Sequence, residues 1–392
     1  MNNKNIEKYH LIKTFFICGV SKNVLIEKIK DEKNNKNIDI LNPDILFSFP
    51  ENKDSISNSI LDFIFIDGIN ILYHNVPSKF YCFVLTNERG IRSYIYILKI
   101  YENIKINNTK SFYIPYCFCI WSCINNPESF KKILMEMNKI IKSNEYNLSD
   151  ETLINFHNCE LLNLIVFISD VIIPSNYTKL ILNFHFSSVE FYFPSFFEIP
   201  CNNNEQINIL FNCLEISTII KLWCSILNEK YVILIADQAY LLFCVFEALL
   251  SLIFPFKWLN TYIPILPNNL LDYLESPSPY LIGVLKDKID YFTLNEMFSN
   301  YVICDLNTSM VNSNGISTLP RIKEENLRKK LNYILHPEIF ELEEIFDNEE
   351  DKIIYNLKNF NIEDIDKKKL KSVNIQYVFF RIFRDYLKFK IF

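Results

Sequence analysis

The sequence predicts a mixed α/β protein, α+β overall, with two lobes and a helical tail, and three observations support this fold class. A chain of 392 residues that is 49% hydrophobic can fill more than one core. Two strand-like segments, 79–86 and 92–101, flank a turn that contains a glycine, which is typical of an antiparallel hairpin. Residues 216–254 have the pattern helix, strand, helix, and the strand lacks alternation because both of its faces are apolar, as in an α/β lobe.

In the first lobe, an apolar strand is expected at residues 15–20, followed by a short apolar segment at 47–50 and then the hairpin. In the hairpin turn, Gly90 suits a backbone position with positive φ. After the hairpin, residues 112–123 form another predicted strand, so the lobe is expected to contain an antiparallel meander. Residues 127–141 carry apolar side chains at helical spacing and predict an amphipathic helix.

Further along the chain, a second periodic helix is expected at residues 151–169 and a strand at 180–186. The α/β pattern follows, with helices at 216–227 and 238–254 around a strand at 231–236, and Asp237 is a candidate N-cap of the second helix. A strand at 301–306 and a turn at 312–317 close this lobe.

The tail is predicted to be charged and helical after Pro320, through residues 321–335, the acidic run 341–351 and a last helix at 373–389. These elements divide the chain into a first lobe, a connecting helix and strand, a central α/β domain and a helical tail. The predicted boundaries are 8–145, 146–185, 186–315 and 316–392.

Composition narrows the classes of function. A net charge of -6 and a pI near 5.6 argue against a nucleic-acid partner. The five glycines stand alone, so neither glycine-rich phosphate-binding motif is present and no nucleotide or other cofactor is expected. The five histidines are dispersed without a nucleophile or carboxylate at catalytic spacing, so neither catalytic residues nor covalent chemistry is predicted.

The eleven cysteines show no disulfide-scaffold spacing, which favours the reduced cytosol. Cys117 and Cys119 are interpreted as buried thiols of an apolar strand and not as metal ligands, and no metal site is expected. Apolar runs are broken by charges before they reach the length of a membrane span, and no signal peptide pattern is present. We therefore expect a cytoplasmic protein that reaches membranes only through its partners.

Residues 254–283, which we name the Pro-aromatic segment, contain five prolines and six aromatic residues in an apolar context. Because proline fixes φ and removes a backbone donor, neither a plain helix nor a plain strand fits this composition. The segment is predicted to be a series of short extended pieces and turns.

Together these segments resemble, in order, the tripartite DENN module, with its upstream, central and downstream parts. The upstream part is similar at FFICGV, FSFP, YCFVLTNERG and YIPYCFCI, which begin at residues 15, 47, 81 and 113. The central part is similar at LFNCL, NEKYVILI, EAL, the Pro-aromatic segment and VICDLNT, of which the last begins at residue 302. The downstream part resembles the family at residues 319–331 and 379–386, but it is shorter than family members usually are.

The resemblance implies a longin-like first lobe, an α/β central DENN lobe and a helical downstream part that looks incomplete. It also implies exchange of guanine nucleotide on a Rab-family small GTPase in membrane trafficking, by binding the switch regions and promoting GDP release. The candidate residues facing the GTPase are Trp258, Tyr262, Pro264, Pro267, Leu271, Tyr273, Pro279 and Asp305.

Alternatives remain open at this point. Trp258, Tyr262 and Tyr273 could brace the core instead of meeting a partner, and Asp305 could cap a turn. The chain could be a trafficking scaffold that binds GTPases without exchange, as the short downstream part would suggest. It could also activate GTP hydrolysis through Arg89 or Arg92, although the hairpin setting of both arginines favours a structural role.

Overall fold

The computed structural model describes most of the chain as two compact units. The residues described are 10–21, 24, 41–50, 59–106, 110–143, 160–173, 179–184, 187–193, 204–298, 300–312, 318–339 and 364–391. The first unit is drawn from residues 1–192 and 266–273, and the second from 193–265 and 274–392.

An antiparallel sheet of five strands organises the first unit, in the order β2-β1-β5-β4-β3. Its strands are β1 (Thr14–Gly19), β2 (Asp44–Phe49), β3 (Lys79–Thr86), β4 (Arg92–Ile106) and β5 (Lys110–Ser122). A short helix, α1 (Ser59–Ile64), lies between β2 and β3 in sequence. The predicted strands and their antiparallel meander are thereby confirmed.

The predicted hairpin is β3–β4, and its turn is stabilised by Asn87 and Gly90. The Asn87 side-chain oxygen accepts hydrogen bonds from the backbone N–H groups of Arg89, at 3.0 Å, and Ile91, at 2.8 Å. Gly90 has φ +74°, the left-handed conformation that favours glycine. The turn therefore uses local chemistry that the sequence already displays.

Two helices lie on the first sheet, and a second hairpin packs against the first of these helices. The amphipathic helix α2 (Pro127–Ser143) buries Phe130. The Phe130 ring stacks on the Tyr96 ring with 4.4 Å between ring centroids, and it meets the Phe191 ring edge-on with 5.2 Å between centroids. The next helix, α3 (Glu160–Asp170), contains the second half of the helix predicted at 151–169, and residues 151–159 lie outside the described residues. Strands β6 (Lys179–Asn183) and β7 (Ser188–Tyr192) pair antiparallel.

The second unit contains a five-stranded sheet in the order β12-β11-β8-β10-β9. Its strands are β8 (Val232–Ala236), β9 (Thr261–Ile263), β10 (Tyr280–Leu285), β11 (Val302–Asp305) and β12 (Met310–Val311). Strands β8 to β11 are parallel to one another and only β12 runs antiparallel. All five residues of the central strand β8 are buried, as its uninterrupted apolar sequence predicts.

The helices around this sheet are α4 (Asn204–Cys213), α5 (Ile216–Leu227), α6 (Ala239–Leu252) and α7 (Tyr291–Met297). The predicted order of helix, strand and helix across 216–254 is confirmed. The prediction that Asp237 caps α6 is wrong, because Gln238 occupies the N-cap and makes no side-chain capping bond. The Asp237 carboxylate instead accepts a hydrogen bond from the side-chain N–H of Asn307 at 2.6 Å.

The tail forms two described helices, α8 (Arg321–Leu335) and α9 (Asp364–Ile391). The predicted last helix is present and begins nine residues earlier than its apolar pattern indicated, through a lysine-rich stretch. Trp223 of α5 packs against Phe379 at 5.0 Å and Phe383 at 5.4 Å, which fixes α9 on this unit. The acidic run 341–351 and residues 313–317 of the turn predicted at 312–317 lie outside the described residues.

Candidate functional site

The Pro-aromatic segment is divided into short pieces, as its prolines predict. The extended pieces are β9 and the start of β10, and between them residues Asn268–Glu275 form a kinked 3₁₀ helix. This helical piece differs from the expected extended pieces and turns. Its eight residues contain neither proline nor glycine, so the chain between Pro267 and Pro277 can form a helix.

Trp258 is buried and hydrogen-bonded near the start of the segment. Its indole N–H donates to the carbonyl of Thr261 at 3.1 Å, and 6% of the residue is exposed. The next residue, Leu259, is 83% exposed. The segment therefore buries Trp258, although its indole carries a polar N–H group, and exposes the aliphatic side chain of Leu259 to solvent.

Tyr262 bridges β9 to α6. Its hydroxyl donates to a carboxylate oxygen of Glu247 at 2.7 Å, and its ring meets Phe246 edge-on at 5.8 Å. Glu247 is 4% exposed, so this donor compensates part of the cost of burying a carboxylate. The core interpretation left open by the sequence describes the positions of both Trp258 and Tyr262.

Pro264 is buried, and its backbone carbonyl lies directly against Gly283 of β10. A Cβ atom built on Gly283 would lie 2.0 Å from the Pro264 carbonyl oxygen and 2.9 Å from its carbon. Glycine is thus needed at 283 for close approach of two backbones, not for a positive φ. The sequence offered no local signal for this contact, since the two residues are distant along the chain.

The remaining apolar candidates differ in exposure. Pro267 is buried, Leu271 and Pro279 are partly exposed, and Tyr273 is 50% exposed. Pro267, Leu271 and Tyr273 belong to the first unit, and Pro279 belongs to the second. Tyr273 therefore has the most accessible aromatic ring of the candidates.

A tyrosine cluster that sequence reasoning missed surrounds the amino end of β10. The rings of Tyr231 and Tyr301 stack at 4.4 Å, and Tyr280 meets Tyr231 edge-on at 5.2 Å. Burial, together with the neighbouring Tyr301 and Tyr231, raises the pKa of Tyr280 above its ordinary value. Its hydroxyl donates to the Leu274 carbonyl at 2.8 Å, which ties the end of the 3₁₀ helix to this strand.

Asp305 lies at the carboxyl end of β11, in a polar network with Lys286 and Asn307. One carboxylate oxygen accepts from the Lys286 ammonium at 3.0 Å, and the other accepts from the Asn307 backbone N–H at 2.9 Å. Burial by itself would raise the pKa of this carboxyl, but these donors hold its pKa below the ordinary value. The carboxylate thus stabilises a turn and an ion pair, which was one of its two expected roles.

Within the second unit, Pro279 and Asp305 lie at opposite ends of the sheet. Pro279 precedes the first residue of β10, whereas Asp305 is the last residue of the parallel strand β11. By the strand registers, Asp305 is level with Val284, so about five residues, or roughly 16 Å of strand, separate the two positions. These two candidates therefore do not form one contiguous group.

The two thiols and two arginines named in the sequence analysis lie in the first unit. Cys117 and Cys119 are fully buried in β5, and burial raises the pKa of both thiols well above the ordinary value, as expected of structural cysteines. Arg89 is exposed in the hairpin turn, and Arg92 is the first residue of β4. Both arginines therefore lie in the hairpin to which the sequence assigned them.

The described residues contain neither a cluster of metal-ligating side chains nor a single apolar helix of membrane-spanning length. No group of three or more histidine, cysteine or acidic side chains there could hold a metal ion. No single helix among those residues has the length and apolar composition to cross a membrane. One pair of helices, Glu205–Cys213 and Ile216–Leu227, meets these length and composition criteria jointly, but the two helices are bent by 115° relative to each other.

Comparison with known proteins identifies the family. The chain matches the DENN (AEX-3) domain over residues 113–309 and the uDENN domain over residues 43–100. It is 29% identical over 287 residues to myotubularin-related protein 5 of Caenorhabditis elegans, covering 72% of this chain and 15% of that protein. It is 24% identical over 294 residues to DENN domain-containing protein 1B of Mus musculus, covering 74% of this chain and 35% of that protein.

A plant relative matches a shorter region. The chain is 32% identical over 137 residues to the DENN domain and WD repeat-containing protein SCD1 of Arabidopsis thaliana, covering 35% of this chain and 11% of that protein. The matched regions thus span about a third or less of the length of these relatives. The DENN match by itself covers half of the 392 residues, and the chain belongs to the DENN domain family.

Proposed function

We propose that the chain is a guanine-nucleotide exchange factor for a Rab-type small GTPase in membrane trafficking. The observation that carries the proposal is the combined match to the uDENN and DENN domains over residues 43–100 and 113–309. The proposal includes a longin-like fold for the first unit. It also includes a cytoplasmic location, with membrane association through partners.

Exchange makes and breaks no covalent bond, so its physical requirement is preferential binding of one state of the GTPase. The factor must bind the switch segments better in their nucleotide-free arrangement than in their nucleotide-bound one. A nucleotide held with picomolar affinity is bound by roughly 16 kcal/mol. A competing interface would need to bury about 1,200 to 2,000 Å² or more.

Among the candidate residues, the accessible ones are proposed as contacts and the buried ones as supports. Tyr273 is the proposed contact with the largest accessible aromatic ring, and Leu271 and Pro279 are partly accessible. Aromatic anchors supply much of the binding energy at protein interfaces. The buried candidates are proposed to hold the backbone in place: Trp258, Tyr262, Pro264, Pro267 and Asp305.

The test of the activity is release of a fluorescent GDP analogue from a panel of Rab GTPases. The purified full chain should accelerate release from at least one Rab in proportion to the concentration of the chain. A panel without any acceleration would count against exchange. Stable capture of GTP-loaded Rab in that case would identify the chain as a scaffold.

The test of the proposed contact compares two exposed tyrosines of the first unit. Tyr273→Ala should lower the catalysed release rate about fivefold or more at a fixed, subsaturating concentration, since an aromatic anchor contributes over about 1 kcal/mol. Tyr73 is 67% exposed and is not among the candidates, so Tyr73→Ala is the matched control. Equal rates for the two variants would remove Tyr273 from the interface.

A further inference from the structure

We propose that the carboxyl edge of the second sheet contacts the small GTPase, with Phe292 as its apolar anchor and Asn307 as a positioning residue. We name this surface the strand-end surface; it comprises residues 237, 286–292 and 305–308. The inference rests on the proposed exchange function and identifies a contact surface for it. Asp305 is the one member that the sequence analysis named as a candidate facing the GTPase.

The topology of the sheet predicts a crevice at this edge. From β8 the chain passes through α6 to the β9–β10 side of the sheet, and from β10 it passes through α7 to β11 on the other side of β8. The connections that leave β8 and β10 therefore run in opposite directions. At such a switch point, the carboxyl ends of parallel strands border an open crevice, which is the usual binding position in α/β sheets.

Polar side chains at this edge hold one another in fixed positions. Asn307 donates to the Asp237 carboxylate at 2.6 Å and accepts from the Asp237 backbone N–H at 3.0 Å. Asp305 accepts from Asn307 and from Lys286, and the Lys286 backbone N–H donates to the Ala236 carbonyl at 3.0 Å. The ends of three strands are thereby joined in one network, which lowers the entropic cost of presenting these groups to a partner.

An exposed aromatic side chain lies on α7, the helix that follows the carboxyl end of β10 in sequence. Phe292 of α7 is 67% exposed, although its neighbour Tyr291 is buried and contacts it edge-on at 5.7 Å. Helix α7 is fixed at its start by Asp290, whose carboxylate accepts from the Thr293 N–H at 2.8 Å. A solvent-exposed ring on a helix that begins at this polar edge is typical of an interface anchor with a polar rim.

The charge of the strand-end surface indicates the chemistry of the partner. Four aspartates face two lysines there, so the surface is net negative: Asp237, Asp287, Asp290 and Asp305 against Lys286 and Lys288. Asp287 is 60% exposed and pairs with Lys288 at 3.0 Å. The complementary surface on the GTPase would present a lysine or arginine beside an apolar contact, and its attraction would weaken with added salt.

The experiment first measures which nucleotide-free Rab the wild-type chain binds and on which Rab it accelerates GDP release. On that Rab, Phe292→Ala and Asp287→Lys should each lower the apparent second-order rate of release at least fivefold. The Asp287→Lys variant should also lose the salt dependence seen with the wild type. The matched control is Ile322→Ala, which shortens an aliphatic side chain of α8 that is 74% exposed.

Asn307→Ala tests positioning by separating affinity from turnover. It should raise the GTPase concentration at half-maximal rate about fivefold, with the maximal rate changed less than twofold and α-helical content unchanged. Wild-type rates for Phe292→Ala and Asp287→Lys on an active Rab would overturn the strand-end surface while leaving the exchange function intact. Failure of the wild-type chain to bind any Rab would overturn both.

Discussion

Gly283→Ala is the substitution that most directly tests how the Pro-aromatic segment is packed. The added methyl carbon would meet the Pro264 carbonyl oxygen at 2.0 Å, whereas an ordinary contact needs 3.4 Å or more. Both partners are backbone, so the strand and the proline segment would have to separate by more than an ångström. Side-chain rearrangement cannot relieve this clash.

The magnitude follows from two opposing effects. Overpacking of this kind costs about 1 to 3 kcal/mol, and the upper end is expected because the obstructing atom is a fixed carbonyl. Replacing glycine by alanine also restricts the unfolded chain, which stabilises by roughly 0.4 to 1 kcal/mol. The net loss should be about 2 kcal/mol, or about 4 to 8 °C in Tm for a domain of this size.

The assay is urea and thermal unfolding followed by circular dichroism, with Gly90→Ala as the control. Gly90 has no atom within 4 Å of its added Cβ and φ +74°, so its cost is backbone strain alone. Serine should therefore cost more than alanine at 283 and about the same as alanine at 90. A Gly283→Ala protein as stable as the wild type would refute the close approach of the Pro264 carbonyl.

Three further predictions concern buried groups. Tyr262→Phe should lower the free energy of unfolding by about 1 to 3 kcal/mol, because buried Glu247 loses a donor, and the double variant with Glu247→Leu should cost less than the two single changes combined; additive losses would argue against this bond. Asp305 has a lowered pKa in the folded protein, so its contribution is complete above the ordinary aspartate pKa, about 3.9, and is lost as pH falls through the folded value. Asp305→Asn should accordingly be less stable than the wild type at pH 7, by urea midpoint, and the difference should shrink toward pH 3; a constant difference would contradict the role of the charge. Maleimide labelling at pH 8, mapped by mass spectrometry, should modify exposed Cys123 well before Cys304, whose pKa burial raises to about 12, and equal rates would contradict that burial.

Local patterns along the chain predicted most of the regular elements. The β3–β4 hairpin was predictable because its turn chemistry, Asn87 and Gly90, is local and the flanking strands are apolar. The buried strand β8 and the helices beside it were predictable because their apolar periodicity is also a short-range signal. The N-cap of α6 was not predictable, since the Asp237 carboxylate is hydrogen-bonded to Asn307, 70 residues further along the chain.

Exposure within the Pro-aromatic segment could not be predicted residue by residue. Composition alone does not distinguish Trp258, which is buried, from Leu259, which is 83% exposed. The direction of each side chain depends on where β9 and the 3₁₀ helix begin and end, and these limits depend on contacts with other elements. Gly283 likewise looks like any isolated glycine until the Pro264 carbonyl is placed over it.

The sequence by itself determined the main strands and helices of the two lobes and the irregular character of the Pro-aromatic segment, because these depend on local composition and spacing. Its ordered motifs also resembled those of the DENN family. Tertiary structure alone decided which aromatic residues are core and which are accessible. It also brought Asp237, Lys286, Asp305 and Asn307 together at one edge of a sheet. Parallel strands align their carboxyl ends whatever the length of chain between them, so this cluster has no signature in sequence spacing.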